Sequence, residues 1–174
     1  MSLSSVKQFF AANAPDINVQ ELSTSTATVA LAAAALGVTP GQIAKTLSMR
    51  LPDEIVLLVT RGDARLDNRK YKQRFGAKAR MLDATEVEAV TGHPVGGVCP
   101  FGVARPLRVF CDVSLQSFAE VFPAGGTPDT AVCLTPDRLA TLTKAEWVDV
   151  TSDIGETGVN AQPGQVIDAL DINS

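Results

Sequence analysis

A lysine in an apolar segment is the first residue of this sequence whose setting indicates chemistry. If residues 43–49 form a strand, their alternation places Lys45 on one face with Ile43, Leu47 and Met49. A lysine on an apolar face is desolvated, which lowers the pKa of its ammonium group, or it presents a fixed positive charge to an anion. The alternative is a lysine at a sheet edge whose charge extends into solvent, and the pattern alone does not decide between them.

A glycine-rich segment over residues 92–102 is the second feature. It contains four glycines and two prolines in eleven residues, so it is predicted to be a loop. The consecutive glycines Gly96 and Gly97 allow the backbone to approach a ligand closely, and their N–H groups can bind phosphate or stabilise an oxyanion. A loop that glycine and proline merely shape is an equally good interpretation of this segment alone.

Several common enzyme classes are not supported by the sequence. His93 is the only histidine, no nucleotide-binding glycine motif is present, and the 19 carboxylates show no metal-ligand spacing, so we expect neither metal nor cofactor. His93 is expected to shape the loop rather than act as a base. Cys99 has no second histidine to activate it as a nucleophile. The three cysteines show no CxxC spacing, and we therefore expect a reducing, cytoplasmic location.

The charge of the chain is distributed unevenly. The net charge is −4, yet residues 61–80 contain eight basic and two acidic side chains, a local charge of +6. Such a segment is typical of a surface that faces phosphate groups, although a solvated helix face has the same composition. The residues expected to form this basic patch are Arg65, Arg69, Lys70 and Lys72.

The pattern of the whole chain predicts an α/β or α+β fold built around a mixed sheet, because helices and strands interleave without a regular rhythm. The predicted helices cover 3–13, 27–36, the stretch between Asp67 and Gly76, 84–91 and 136–142. The predicted strands cover 17–22, 43–49, 55–60, 106–112, 119–123, 131–134 and 146–150. We expect one domain over residues 1–150, followed by an acidic extension over 151–174 that contains no lysine or arginine. No apolar run is long enough to span a bilayer.

Two motifs in order carry a resemblance to a known family. The stretch Ala34–Val38 followed by Ile43–Leu47 resembles the YbaK/EbsC-type aminoacyl-tRNA deacylases, which are related to the editing domain of bacterial prolyl-tRNA synthetases. The resemblance continues through Gly62 and Asp63, through Thr91–His93, and into Gly96–Gly102, so that it covers about residues 20–150. It implies a mixed sheet that curls toward a barrel, with helices packed outside.

The resemblance also implies roles for particular residues. The essential lysine of the family corresponds to Lys45, and the loop that embraces the CCA end of tRNA corresponds to Gly96–Pro100. Some members carry a tyrosine before the alanine-rich helix, where this chain has only serine and threonine. Others use a histidine or aspartate near the late strands, for which Asp129 is the weak candidate. The residues expected to bind substrate are Thr26, Gly96, Gly97, Val98, Pro100 and Gly102.

The activity implied is hydrolysis of the ester that links a wrongly attached small amino acid (alanine, serine or cysteine) to tRNA, with tRNA(Pro) as the expected acceptor. The basic patch would then contact the acceptor stem, and water would be the nucleophile. The expected partners are aminoacylated tRNA and an aminoacyl-tRNA synthetase, with no membrane partner. Two alternatives remain open: a non-catalytic RNA-binding module of the same fold, and a small-molecule hydrolase or ligand-binding protein with an incidental basic patch.

Overall fold

A five-stranded mixed sheet lies at the centre of the fold. The computed structural model describes residues 2–152. The strand order is β5-β2-β3-β4-β7; β2 and β3 are antiparallel, and the other neighbours are parallel. A separate antiparallel pair joins β1 to β6. The strands are β1 (Gln20–Glu21), β2 (Ile43–Arg50), β3 (Ile55–Arg61), β4 (Arg108–Asp112), β5 (Phe122–Pro123), β6 (Thr130–Ala131) and β7 (Glu146–Val148).

Within residues 2–152, five α-helices accompany the sheet, and local capping explains where most of them begin and end. They are α1 (Ser2–Asn13), α2 (Val29–Leu36), α3 (Asn68–Phe75), α4 (Ala84–Thr91) and α5 (Pro136–Thr143). The side chains of Thr28, Asp67 and Asp83 accept hydrogen bonds from backbone N–H groups in the first turns of α2, α3 and α4, respectively. Each of these three helices ends at a glycine with positive φ. The five helices predicted from the sequence are thereby confirmed.

The central strand β3 is covered on both faces, as its continuous apolar run predicts. Val56 and Leu58 pack with Tyr71 of α3 in one cluster of buried side chains. Leu57 and Val59 point the other way, into a cluster that contains residues of α1 and α5. The sheet is therefore a layer between helices.

The predicted mixed α/β fold is confirmed, although several strands are shorter than their sequence patterns indicate. The segments predicted as strands at 17–22, 119–123 and 131–134 form only two-residue strands. Isolated bridges from Val121 to Leu134 and from Ala124 to Ala131 link them to one another. These bridges connect β5 at the edge of the five-stranded sheet to the β1–β6 pair. They are single pairings, and they stand where longer strands would form a continuous ladder of hydrogen bonds.

The packed fold continues through Thr151. The hydroxyl of Thr151 and the backbone N–H of Val150 each donate to the buried carboxylate of Asp112 at 2.7 Å. Thr151 also forms a bridge to Leu66. The rest of the acidic extension, from residue 153 onward, lies outside the described residues. No helix within residues 2–152 is long and apolar enough to cross a membrane.

Candidate active site

A pocket of about 360 Å³ opens beside the middle of β2. Its lining is mainly apolar, and the polar groups on its wall are concentrated on β2 and on the segment that leads into α2. The lining comes from residues 26–29, 32 and 36, from 43–48, from 81, 82, 84 and 87, from 95, 96 and 98, and from 122–124 and 130–131. A small, largely apolar cavity with a few polar groups is the usual form of a small-ligand site.

The pocket opens where the outer edge of β2 has no neighbouring strand. Ile43 and Ala44 pair with β5. Further along, the backbone N–H of Arg50 donates to the Arg80 carbonyl, and the Ser48 carbonyl accepts from the Leu82 N–H. Backbone groups of an antiparallel strand alternate in direction, so the N–H and C=O of Thr46 also face this outer edge rather than β3. The edge around Thr46 is thus open to the pocket.

Lys45 lies at this gap. Its ammonium group donates to the carbonyl of Ala64 at 2.7 Å. Burial lowers the pKa of Lys45, and the nearby Asp63 carboxylate acts in the opposite direction. Asp63 itself is held by Arg61, whose Nε donates to it at 2.5 Å. An ammonium group has three donors, so Lys45 retains donors for an anionic or hydroxyl-bearing ligand.

The two faces of β2 carry different chemistry at the pocket. Lys45 shares its face with Ile43, which packs beneath α2. Thr46 and Ser48 point to the opposite face, the one that carries their cross-strand partners Val59 and Leu57. The pocket therefore wraps around the open strand edge, with a cation on one side and two hydroxyls on the other.

The glycine-rich loop contributes only part of its length to the pocket. Gly96, with φ of +94°, and Val98 line the cavity, whereas Gly97, Pro100 and Gly102 do not. The N–H of Gly97 donates to the Pro94 carbonyl at 2.9 Å, so this group is already used within the loop. Gly96 and Val98 are therefore the loop residues placed next to a bound group.

The other glycines of this loop permit close packing. A Cβ on Gly97 would lie 2.6 Å from the backbone of Thr127, and one on Gly102 would lie 2.5 Å from the carbonyl oxygen of Ser5. Pro100 is buried. Gly97, Pro100 and Gly102, which the sequence places among the substrate-binding residues, are thus positioned to hold the loop against the rest of the fold.

Comparison with known proteins identifies the family of this chain. The family model described as "Aminoacyl-tRNA editing domain" matches residues 23–142. The chain belongs to the aminoacyl-tRNA editing domain family. The resemblance inferred from the sequence motifs is therefore confirmed, and the family supports a role in tRNA editing related to prolyl-tRNA synthetase.

Three relatives show how far the similarity extends. The chain is 47% identical over 155 residues to the uncharacterized protein YwhH of Bacillus subtilis (strain 168), covering 88% of this chain and 99% of that protein. It is 27% identical to a protein of Enterococcus faecalis (strain ATCC 700802 / V583) named "Putative Cys-tRNA(Pro)/Cys-tRNA(Cys) deacylase EbsC", covering 69% and 74% of the two chains. A crystal structure described as "a putative trans-editing enzyme for prolyl tRNA synthetase" superposes with a TM-score of 0.81 at 34% identity, covering 87% and 98%.

The single histidine of this editing domain anchors the glycine-rich loop. The His93 ring is fully buried, with Nε2 2.8 Å from the Phe101 carbonyl and Nδ1 2.6 Å from the Ser2 hydroxyl. Burial lowers the pKa of His93. Cys99 is also buried, which raises the pKa of its thiol to about 12. Neither side chain lines the pocket, so His93 has the structural position that the sequence predicts, and Cys99 is a poor nucleophile.

The basic patch of the editing domain begins next to Lys45. Arg65 follows Ala64, the residue whose carbonyl accepts from Lys45. Arg69 and Lys72 are exposed on α3. Lys70 is engaged by Asp149 at 3.1 Å and by the Thr151 carbonyl at 2.9 Å. The patch thus combines exposed cations with one that an acidic neighbour partly neutralises.

Two further residues predicted for the site differ in position. Thr26 is buried and lines the pocket, and its hydroxyl lies 3.5 Å from the Thr130 carbonyl. Asp129 is exposed, does not line the pocket, and accepts a hydrogen bond from the Thr127 hydroxyl at 2.8 Å. Within residues 2–152, no group of three histidine, cysteine or carboxylate side chains is placed to hold a metal ion.

Sequence reasoning missed the hydroxyls of Thr46 and Ser48 and the apolar rim of the editing pocket. Met81 and Val95 line its mouth while remaining 61% and 58% exposed. A signal for the hydroxyls was present, because the strand alternation places two polar residues on a face that faces the interior. The sequence contains no indication that Met81 and Val95 would form the rim, because single exposed apolar residues are common on protein surfaces.

Proposed function

We propose that this protein is a trans-acting deacylase that hydrolyses the ester of a small mischarged amino acid on tRNA in the cytoplasm. The observation that carries the proposal is Lys45, a half-buried lysine that lines a small pocket with exposed cations near two parts of its wall. Arg65 follows Ala64, the residue that contacts the ammonium group of Lys45. Arg80 precedes Met81, which lines the mouth of the pocket. This combination suits an anionic polynucleotide whose end carries a small group. The relatives named for deacylation or trans-editing support the same reaction.

In the proposed mechanism, the enzyme acts mainly through positioning and charge, because an aminoacyl ester is already activated. Lys45 binds the terminal phosphate or ribose through its remaining donors. The backbone N–H groups of Gly96 and Val98 stabilise the oxyanion that develops on the ester carbonyl. Water adds to that carbon and the ester C–O bond breaks, with a ribose hydroxyl of the substrate assisting proton transfer. The products are the free amino acid and tRNA with a free terminal hydroxyl.

The size of the pocket supports a small aminoacyl group, with tRNA(Pro) as the proposed acceptor. Much of its wall consists of alanine, valine and leucine side chains supplied by α2, α4 and the loop. Contacts with an apolar wall distinguish two amino acids that differ by one methylene by only about 1–3 kcal/mol of binding free energy. Larger amino acids must therefore be excluded by steric clash. Alanine, serine and cysteine are therefore the amino acids we propose.

The test of this proposal is release of amino acids from tRNA charged with Ala, Ser, Cys, Thr or Pro, measured beside the spontaneous rate. We expect rapid release of at least one of the first three and none above background for proline. If none is released while a gel shift still shows tRNA binding, the hydrolase proposal fails and the non-catalytic RNA-binding module replaces it.

A second prediction concerns the basic patch. The double charge reversal Arg69→Glu and Lys72→Glu is expected to raise the KM for aminoacyl-tRNA about tenfold, with little change in kcat, because both side chains are exposed on α3 and outside the pocket. The salt dependence of binding should also become shallower. The matched control is Lys7→Glu on α1, an exposed lysine that does not line the pocket.

An unchanged KM and salt slope in the Arg69 and Lys72 variant would show that tRNA does not contact this patch. Lys7→Glu changes the net charge by half as much, so an effect on KM that is equal per reversed charge would show that net charge alone governs binding. Circular dichroism and thermal melts of both variants separate binding effects from loss of structure.

A further inference from the structure

Two buried hydroxyls of pocket residues have no hydrogen-bond partner within residues 2–152. The side-chain oxygens of Thr46 and Ser48 are buried, and neither forms a hydrogen bond with the described residues. Ser48 is only 4% exposed. A buried hydroxyl without a partner costs free energy, so its persistence in a pocket indicates that a ligand satisfies it.

The strand geometry places the side chains of Thr46 and Ser48 on the same face of β2. Residues two apart on a strand project to the same face, and both Thr46 and Ser48 line the cavity. Val87 and Val98 also line the cavity, and they belong to one apolar cluster with Ile55. Ile55 projects to the same face of β3 as Leu57, the cross-strand partner of Ser48. The hydroxyls are therefore the polar groups of an otherwise apolar compartment, separated from Lys45 by the backbone of β2.

The other pocket hydroxyls are already used. Thr28 accepts from the Leu31 N–H as the N-cap of α2. Thr130 donates to the Thr127 carbonyl at 3.1 Å. Thr26 lies at the limit of hydrogen-bond distance from the Thr130 carbonyl. Thr46 and Ser48 are thus the pocket side chains most available to a polar group of the substrate.

We propose that Thr46 and Ser48 determine amino-acid specificity, and that they select the β-hydroxyl of serine over alanine and cysteine, the other two amino acids of the proposed function. This inference rests on the deacylase function proposed above. A substrate hydroxyl both donates and accepts, so it can satisfy the two protein hydroxyls at once. A methyl group leaves both unpaired, and a thiol is a weaker and longer partner.

The experiment compares kcat/KM for Ser-, Thr-, Ala- and Cys-charged tRNA in the wild type and in Thr46→Val, Ser48→Ala and the double variant. We expect wild type to prefer a hydroxyl-bearing amino acid by about tenfold or more, and each substitution to reduce the ratio of Ser to Ala severalfold. Thr143→Val is the matched control, because its hydroxyl caps a helix carbonyl outside the pocket.

Thermal melting provides a second readout. Removing an unpartnered buried hydroxyl is expected to leave Tm unchanged or raise it, because no internal hydrogen bond is lost. Thr143→Val should lower Tm, since its hydroxyl donates to the Leu139 carbonyl at 2.8 Å. A clear drop in Tm for both Thr46→Val and Ser48→Ala would show that the hydroxyls serve the fold, and the specificity proposal would be rejected.

The outcomes distinguish this inference from the proposed function. Hydrolysis with equal or greater preference for alanine, or a Ser to Ala ratio unchanged in the double variant, overturns the specificity proposal and leaves the deacylase intact. Absence of hydrolysis on every charged tRNA overturns the deacylase function, and the specificity proposal with it.

Discussion

Lys45→Met is expected to lower kcat/KM for aminoacyl-tRNA hydrolysis by about 10²–10³-fold, the usual cost of removing one charge-stabilising donor from an active site. Methionine keeps the length and much of the volume of the lysine stem but removes the ammonium group. Lys45 lines the pocket, and its ammonium group is held by the Ala64 carbonyl at 2.7 Å, so the position of that group does not depend on substrate. Single-turnover rates on the substrate released fastest by wild type measure the effect.

The same residue predicts an alkaline limit to activity. Burial lowers the pKa of Lys45 below its ordinary value of 10.5, so its ammonium loses a proton at lower pH than an exposed lysine does. If the charge is required, catalysed hydrolysis falls as pH rises through that lowered pKa. Rates corrected for spontaneous ester hydrolysis should show this fall in wild type, whereas the residual activity of Lys45→Met should lack it.

Lys70→Met is the control for these measurements. Lys70 is a lysine of the basic patch, held by Asp149 at 3.1 Å, and it does not line the pocket. We expect its loss to change KM modestly and to leave the alkaline limb in place. If Lys45→Met retains full activity while folding normally, Lys45 has only a structural role at the strand edge, which is the alternative that the sequence pattern left open.

The parts of the site that sequence could predict are those that local rules determine. Lys45 was identifiable because strand alternation placed a charge among apolar residues, and α2 was identifiable by its alanines and by Gly37 at its end. Such signals depend only on residues close together in the chain. The family motifs then supplied the reaction class, which the pattern of residue types alone did not.

The remaining parts of the site depend on contacts between distant segments. The gap that opens the pocket exists because β5 pairs with one end of β2, while Arg80 and Leu82 pair with the other end. Nothing in the sequence of β2 indicates where these neighbours stop. For the same reason, the sequence could not separate Gly96, which lines the pocket, from Gly97, whose backbone contacts the turn at Thr127.

The second large effect is expected from this difference between adjacent glycines. Gly97→Ala should destabilise the fold by about 3 kcal/mol, near the upper end for overpacking, because its Cβ would lie 2.6 Å from the Thr127 backbone and no flexible side chain can move aside. Relief of the clash must displace the loop that carries Gly96 and Val98, so deacylation should fall together with Tm. Denaturant unfolding and kcat/KM at a temperature well below Tm measure the two effects.

Gly37→Ala is the matched control for backbone strain. Gly37 has φ of +70°, so alanine is strained there, yet a Cβ would meet nothing within 4 Å. Its expected cost is about 1 kcal/mol, with activity retained below Tm. If Gly97→Ala costs no more than Gly37→Ala and keeps its activity, the loop tolerates displacement from the Thr127 turn. Its close packing would then be incidental to the site, and catalysis would depend on β2 rather than on a fixed position of Gly96.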